Sequence, residues 1–198
     1  MAKSPRELGA FLLALADVQR WLSSAKVPGV VIGGVATALL GRPRMTGDLD
    51  INILANEVDL ATFIELGRQH GFRLRIPDPI GFARDTRMLL FVHVASTVPL
   101  DVSLGALEFE RDMIENAQTL NINGVVVKVP RVEDLIVTKA VAGRDKDLAD
   151  IEGLVAKNPK LDKAYLRRRA KEFAALMEQP DLPELFERYL GKPKRRRR

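Results

Sequence analysis

The chain contains no cysteine, so neither a disulfide framework nor a thiolate metal site can be built from it. Its two histidines, His70 and His93, form no ligand spacing with each other, which argues against zinc. His93, in an apolar run, is expected to be a hydrogen-bonded core residue. Long apolar runs are missing as well. Segments such as Phe11-Leu-Leu-Ala-Leu-Ala16 fall far short of the ~20 residues that span a bilayer. The opening Met-Ala-Lys-Ser-Pro-Arg-Glu lacks the apolar stretch of a secretory signal, so a cytoplasmic location without membrane attachment is expected. No Walker-type Gly-Lys-Ser/Thr motif and no Ser-His-Asp ordering competes for an active-site assignment, and no internal repeat is evident.

What the chain does have is enough length, 198 residues, for one sizeable core with a helical annex. Hydrophobic residues make up 46% and charged residues 29%, an ordinary globular balance. The net charge of +5 is concentrated in a C-terminal tail. Lys192, Lys194 and Arg195 to Arg198 leave residues 1–191 at −1. A second basic block, Lys157, Lys160, Lys163, Arg167, Arg168, Arg169 and Lys171, faces only Asp162. Such blocks attract phosphate backbones. The tail has no interleaved aromatics to stack on bases, and residues 191–198 read as a solvated, disordered segment.

Residues 5–25 carry Leu8, Phe11, Leu12, Leu15, Val18, Trp21 and Leu22 at helical spacing, an amphipathic helix expected to pack on a core. Pro28-Gly29 ends it. A short strand at 30–32, a helix at 35–40 and a strand at 49–54 follow. A helix is expected over 57–70, with Val58, Ala61, Ile64 and Leu66 among its apolar positions. Then come an edge strand at 72–76, a Pro/Gly loop through Pro77, Pro79 and Gly81, and strands at 88–94 and 99–105. Residues 106–118 read as a connection without a defined element, and Asn123-Gly124 turns into a last strand at 125–129. From 131 to 190 the pattern is helical, with breaks at Gly143, Asn158-Pro159, Pro180 and Pro183. The expected organisation is an N-terminal helix (1–27), an α/β core (28–130), a helical lobe (131–190) and the basic tail (191–198).

The densest chemistry lies between Val31 and Ile53. Gly33-Gly34 ends an apolar run and opens a helix, where a backbone lacking Cβ atoms can approach a phosphate and offer it N–H groups. Asp48 and Asp50 follow in an alternating Asp-Leu-Asp-Ile-Asn-Ile segment. Two carboxylates about 7 Å apart on one strand face repel unless a cation lies between them, and such oxygen ligands suit Mg²⁺. Arg42 and Arg44 frame Pro43 just before them, with forks suited to phosphate oxygens. Asp101 shares a strand face with Ser103, opposite Leu100, Val102 and Leu104. Taken alone, Asp101 reads equally well as a carboxylate on a solvated strand.

Gly-Gly, a helix and then Asp-x-Asp resembles the signature of the DNA polymerase β-like nucleotidyltransferase superfamily. Within it, Arg44-x-Thr46-x-Asp48-x-Asp50 looks like the AbiEii/MenT-type enzymes, known as toxins of toxin–antitoxin pairs. The family often has Gly-Ser where this chain has Gly33-Gly34, so a hydroxyl is missing at position 34. A second resemblance lies in Arg131 to Ile151: a lysine, Lys139, on one helix, and Asp147 with Asp150 in an Asp-x-x-Asp opening the next.

The resemblance implies an α+β fold with a mixed sheet, flanking helices and a C-terminal helical lobe. It also implies Mg²⁺ or Mn²⁺ held by Asp48, Asp50 and Asp101, with an NTP as substrate. Gly33, Gly34, Arg44, Thr46 and Lys139 would contact the nucleotide, and Asp147 would support the site, more so than Asp150. The implied acceptor is RNA, plausibly a tRNA 3′ end, and an antitoxin would be a partner. Two alternatives stay open: transfer to a small molecule such as an antibiotic, or a non-catalytic RNA- or partner-binding module.

Overall fold

Apolar residues at three- and four-residue spacing give α1 (Pro5–Ala25) a buried stripe of Phe11, Leu15, Val18, Trp21 and Leu22. The computed structural model describes residues 5–54 and 59–191, with side chains from residue 8 onward. Its contacts divide into two units, residues 1–36 with 44–131 and residues 37–43 with 132–198. Val58 and the basic tail from Lys192 lie outside the described residues.

In the first unit, β1 (Gly29–Val31) leads into α2 (Gly33–Leu40), whose residues from Thr37 on count with the second unit, and β2 (Leu49–Leu54) follows. Next come α3 (Leu60–Gln69), β3 (Phe72–Leu74), α4 (Pro79–Thr86), β4 (Met88–His93) and β5 (Pro99–Gly105). The strands form one mixed sheet in the order β1-β2-β5-β4-β3, in which only β2 and β5 run parallel. Leu49, Ile51 and Ile53 of β2 are buried, as are Leu100, Val102 and Leu104 of β5. Their alternation turns one sheet face into the core and leaves a polar row on the other. The α+β class with a mixed sheet is the expected one.

Trp21 anchors the core. Its ring stacks on Phe63 of α3 at 4.4 Å between centroids and meets Phe72 and Phe91 at 5.3 and 5.0 Å. Its Nε1–H donates to the Phe63 carbonyl at 2.9 Å, so burial leaves no polar atom wanting. A Cβ at Gly67 would lie 2.5 Å from that ring. Helix α3 therefore faces the core through Phe63 and Gly67, whereas Ala61 is exposed. Gly67 carries no hydrophobic signal, so the apolar pattern of the helix did not mark it.

Three local expectations are corrected. The Pro/Gly segment after β3 is the helix α4, because Pro79 sits in the first turn, where a missing N–H costs nothing, and Asp78 caps it by accepting from Gly81 N at 2.9 Å. Residues 106–118 contain α5 (Glu108–Glu115) and begin β6 (Gln118–Ile122), which pairs with β7 (Val125–Val129) as a separate two-stranded sheet. Pro183 does not break a helix but lies in the first turn of α9 (Leu182–Leu190).

The second unit contains α6 (Val132–Ala142), α7 (Asp145–Lys157), α8 (Lys163–Leu176) and α9. Leu135, Ile136, Ile151, Leu154, Leu166, Phe173, Phe186 and Leu190 fill its core. Asn158 ends α7 by donating to the carbonyls of Leu154 and Leu40, both at 2.8 Å. Among the described residues, no helix is long and apolar enough to cross a membrane.

Candidate active site

The parallel pairing of β2 with β5 sets Asp50 directly opposite Asp101 and Asn52 opposite Ser103 on the polar face of the sheet. β1 delivers the chain to Gly33, whose φ of +59° is a left-handed conformation that suits glycine. A Cβ there would stand 1.9 Å from Asp50 Oδ2, so the backbone lies directly against the carboxylate. At Gly34 the constraint is space alone. A Cβ would come within 2.5 Å of Thr46 Oγ1, 2.8 Å of Thr46 Cβ and 3.3 Å of Arg44 Nη2. Thr46 thus fills the volume that the serine of the resembling motif would need, and it brings a hydroxyl of its own.

Asp48 lies in the bend just before β2 rather than inside the strand, and it is exposed. Thr46 Oγ1 donates to its Oδ1 at 2.7 Å. Asp101 is half-buried and paired with Arg75. Sequence reasoning missed this arginine because the contact reaches from the end of β3 across the intervening β4 to β5. Arg75 N donates to Leu90 O at 2.9 Å, and Leu90 is the register partner of Asp101. Burial pushes the Asp101 carboxyl above its ordinary value. The Arg75 charge opposes the shift, and the negative charge of Asp48 adds to it.

Next along the polar row, buried Asn52 donates to Glu110 Oε1 at 2.9 Å. Glu110 Oε2 in turn accepts from Ala106 N and Leu107 N at 2.7 and 2.9 Å. The Asn52 Oδ1 is buried without a hydrogen-bond partner. Glu110 so ties the start of α5 to the carboxylate strand, and nothing in the sequence pattern marked it.

Among the described residues, no three His, Cys, Asp or Glu side chains stand together as a ready-made metal centre. The donor chemistry nonetheless fits a hard divalent cation: oxygen-only ligands, a like-charge influence of Asp48 on Asp101, and a glycine backbone beneath Asp50.

Lys139, Asp147 and Asp150 belong to the second unit and form a cluster there. The Lys139 ammonium is buried and donates to Asp147 Oδ1 at 3.0 Å and Asp150 Oδ2 at 2.7 Å. Arg144 Nε adds a 2.5 Å bond to Asp147 Oδ2. Burial raises the Asp147 carboxyl, but the bonds from Arg144 and Lys139 outweigh it and hold the group below its ordinary value. The same groups lock α6 to α7.

A further constellation escapes any reading by sequence order. His93 is 2% exposed. Its Nε2 lies 3.0 Å from Asp17 Oδ2 and its Nδ1 2.7 Å from Ser96 Oγ. Asp17 is also paired with Arg20. The core histidine expected from the apolar strand is therefore present, but an Asp-His-Ser chain accompanies it. Its members sit on α1, β4 and the β4–β5 turn, with Asp17 and His93 76 residues apart. Ser96 also lines a cavity of about 400 Å³ together with Ala10, Met45, Thr46, Gly47, Thr97 and Val98.

Residues 11–188 match the family described as nucleotidyl transferase of unknown function (DUF2204), and the chain belongs to that family. It is thus an enzyme of the nucleotidyltransferase class, whose members generally use an NTP and a divalent metal. The fold is shared with an antigenic nucleotidyltransferase-like protein from Paracoccidioides brasiliensis, at 22% identity and a TM-score of 0.55 over 93% of this chain and 94% of that one. The solution structure of antibiotic-resistance factor ANT(2'')-Ia aligns at 13% identity and TM-score 0.56, over 86% and 95% of the two chains. The lincomycin-bound lincosamide antibiotic adenylyltransferase LnuA aligns at 15% and 0.50, over 76% and 96%. At these identities the likeness is one of fold. No curated protein matches the sequence.

Proposed function

We propose that the protein transfers an NMP from an NTP to an acceptor hydroxyl, with RNA, at a tRNA 3′ end, as the acceptor. The observation that carries the transfer reading is the register pairing of Asp50 with Asp101 against the Gly33 backbone. Asp48 and Asp50 would hold Mg²⁺, with Asp101 as third carboxylate. When bound, the metal offsets triphosphate charge and favours pyrophosphate as the leaving group. Gly33 offers backbone to the phosphates, Thr46 orients Asp48, and Arg44 is a guanidinium for a phosphate oxygen. A carboxylate of the set accepts the proton of the attacking hydroxyl. The Arg44-x-Thr46-x-Asp48-x-Asp50 resemblance supports an AbiEii/MenT-type toxin neutralised by an antitoxin protein.

The RNA part leans on that resemblance more than on charge. Within the basic block, Arg167 is paired with Glu187, Arg168 and Arg169 with Glu172, and Lys163 with the Leu190 carbonyl. Lys139 would contact a triphosphate only by exchanging its carboxylate partners, so its support for nucleotide binding is weaker than that of the first motif.

A second reading, transfer to a small-molecule hydroxyl, draws on the antibiotic adenylyltransferase among the proteins that share the fold. Incubation with each α-labelled NTP, Mg²⁺ and either total RNA or a panel of aminoglycosides and lincosamides separates the two. Label in a tRNA band supports the first reading. Label on a drug alone replaces it with the second. Wild-type rates in an Asp48→Asn/Asp50→Asn variant would sink both.

A further inference from the structure

One row across the sheet runs Asp50, Asp101, Leu90 and Arg75. Asp50 is the register partner of Asp101 on one side and Leu90 on the other, and the Arg75 N–H donates to the Leu90 carbonyl at 2.9 Å. Residues in one such row share a sheet face, so Arg75 stands on the face that carries the carboxylates. Neighbouring strands lie about 4.8 Å apart, which puts Arg75 roughly 10 Å from Asp101 along the row. Its guanidinium nevertheless pairs with Asp101 Oδ1. An arginine stem can cover that distance along an apolar neighbour while the charge stays in a polar setting, and the residue between the two is Leu90.

Like charges directly opposite each other on adjacent strands repel, and Asp50 and Asp101 are such a pair. The chain supplies a cation of its own on the Asp101 side. Arginine is never deprotonated in a protein, and Arg75 is fixed through its backbone as well as its side chain. In a site with two divalent ions, one clamps the attacking oxygen and the other the leaving oxygen. A second ion here would need Asp101, whose Oδ1 Arg75 already holds. It would also lie beside a permanent positive charge, and Mg²⁺ sheds its waters reluctantly.

We infer that Arg75 takes the place of a second divalent ion at Asp101, so that the site works with one ion, at Asp48 and Asp50. This rests on the nucleotidyl-transfer reading above and goes beyond it in the number of ions. Arg75 is a positioning residue: it acts through Asp101 and supplies positive charge where a second metal would stand.

The test counts Mn²⁺ rather than product. The full chain is titrated with Mn²⁺ and each NTP analogue that carries a methylene α,β-bridge. Bound ions are counted by electron paramagnetic resonance, in which two ions about 4 Å apart give a spin-coupled signal. The expected result is one uncoupled ion per chain in the wild type and none in Asp48→Asn/Asp50→Asn. Arg75→Gln should free Asp101 and take up a second, coupled ion, and adding Asp101→Asn should return the count to one. Circular dichroism confirms that each variant is folded, and Arg75→Met, which keeps an apolar stem beside Leu90, replaces the glutamine variant if that one unfolds. A purely structural arginine would leave the count at one in a folded Arg75 variant, and that outcome overturns the inference. Two coupled ions in the wild type also overturn it, while the transfer reading stands. No bound Mn²⁺ with any analogue overturns both.

Discussion

Replacing Gly34 by serine, the residue common in the resembling motif, should damage this enzyme rather than improve it. The added Cβ would meet Thr46 Oγ1 at 2.5 Å and Thr46 Cβ at 2.8 Å, where ordinary contact begins at 3.4 Å. Relief requires Thr46 to retreat by roughly 1 Å, a displacement that can cost on the order of 100-fold in rate. Threonine is short, so its Cβ moves only with its backbone, and the backbone of 46 leads directly into Asp48. The hydrogen bond from Thr46 to Asp48 carries the same displacement to the carboxylate. We expect kcat/KM for NMP transfer to fall about 100-fold, or ~2.7 kcal/mol in the barrier. Overpacking at the site should cost about 1–3 kcal/mol of stability.

The decisive variant is the double one. Thr46→Gly removes both clashing atoms, so Gly34→Ser/Thr46→Gly should be more active than the two single effects predict. The coupling energy should be about 1–3 kcal/mol, as for residues in contact. Rates are measured with labelled NTP, alongside urea unfolding to confirm equal folded fractions. A Gly34→Ser enzyme within threefold of the wild type, or a strictly additive cycle, would refute the idea that Thr46 replaces the motif serine.

Three further outcomes are expected. Lys139→Met should leave Asp147 and Asp150 buried without their shared cation and cost about 3–5 kcal/mol by urea unfolding. In the wild type the lowered Asp147 group stabilises the fold above the ordinary carboxylate pKa, ~3.9. That contribution is lost as pH falls through the folded-state value, so acid unfolding below about pH 4 should be steeper in the wild type than in Lys139→Met. In the metal-free protein, ¹³C-carboxylate NMR should find Asp101 titrating above the ordinary range. Arg75→Gln should raise it further and Asp48→Asn should lower it, because the first removes a favourable charge and the second a repulsive one. Gly67→Ala should cost about 1–3 kcal/mol, since its Cβ would meet the Trp21 ring at 2.5 Å. Trp21 is the only tryptophan, so its emission reports that unfolding directly.

Strands β2 and β5 were legible because each alternates polar and apolar residues over six or seven positions, and the alternation already assigned Asp50 and Asp101 to one kind of face. Their direct register was not legible, because strand order depends on crossovers that no local pattern records. Helix α4 was hidden by Pro79 and Gly81, which read as loop residues unless Asp78 is seen as the cap. Arg75 gave no signal, since it meets Asp101 only across an intervening strand. The Asp-His-Ser chain was invisible for a related reason. Sequence order separates its members over three elements, and a search for a familiar order of residues passes over it. Lys139 was found, but its state was not: a helix lysine beside an apolar stripe reads as an exposed cation, and two carboxylates on the next helix bury it.

The departure at Gly34 and the presence of Thr46 are one feature, not two. In this chain a Cβ at position 34 and the Thr46 side chain would claim the same space beside α2, and the chain keeps the threonine. The exchange moves the hydroxyl from the helix that carries the glycines to the loop that carries Asp48. A hydroxyl on the loop can orient a carboxylate as well as face a phosphate, and here it does the former at 2.7 Å. Asp101 is handled in the same way, held by Arg75 from the far side of β4. In the proposed site, two of the three carboxylates are thereby positioned by side chains of the first unit itself, before any nucleotide would bind. Such prior positioning lowers the reorganisation that substrate binding would otherwise require. It follows that changes at Thr46 or Arg75 should reduce kcat more than they raise KM, as expected for residues that set the geometry of the reacting groups rather than bind the substrate.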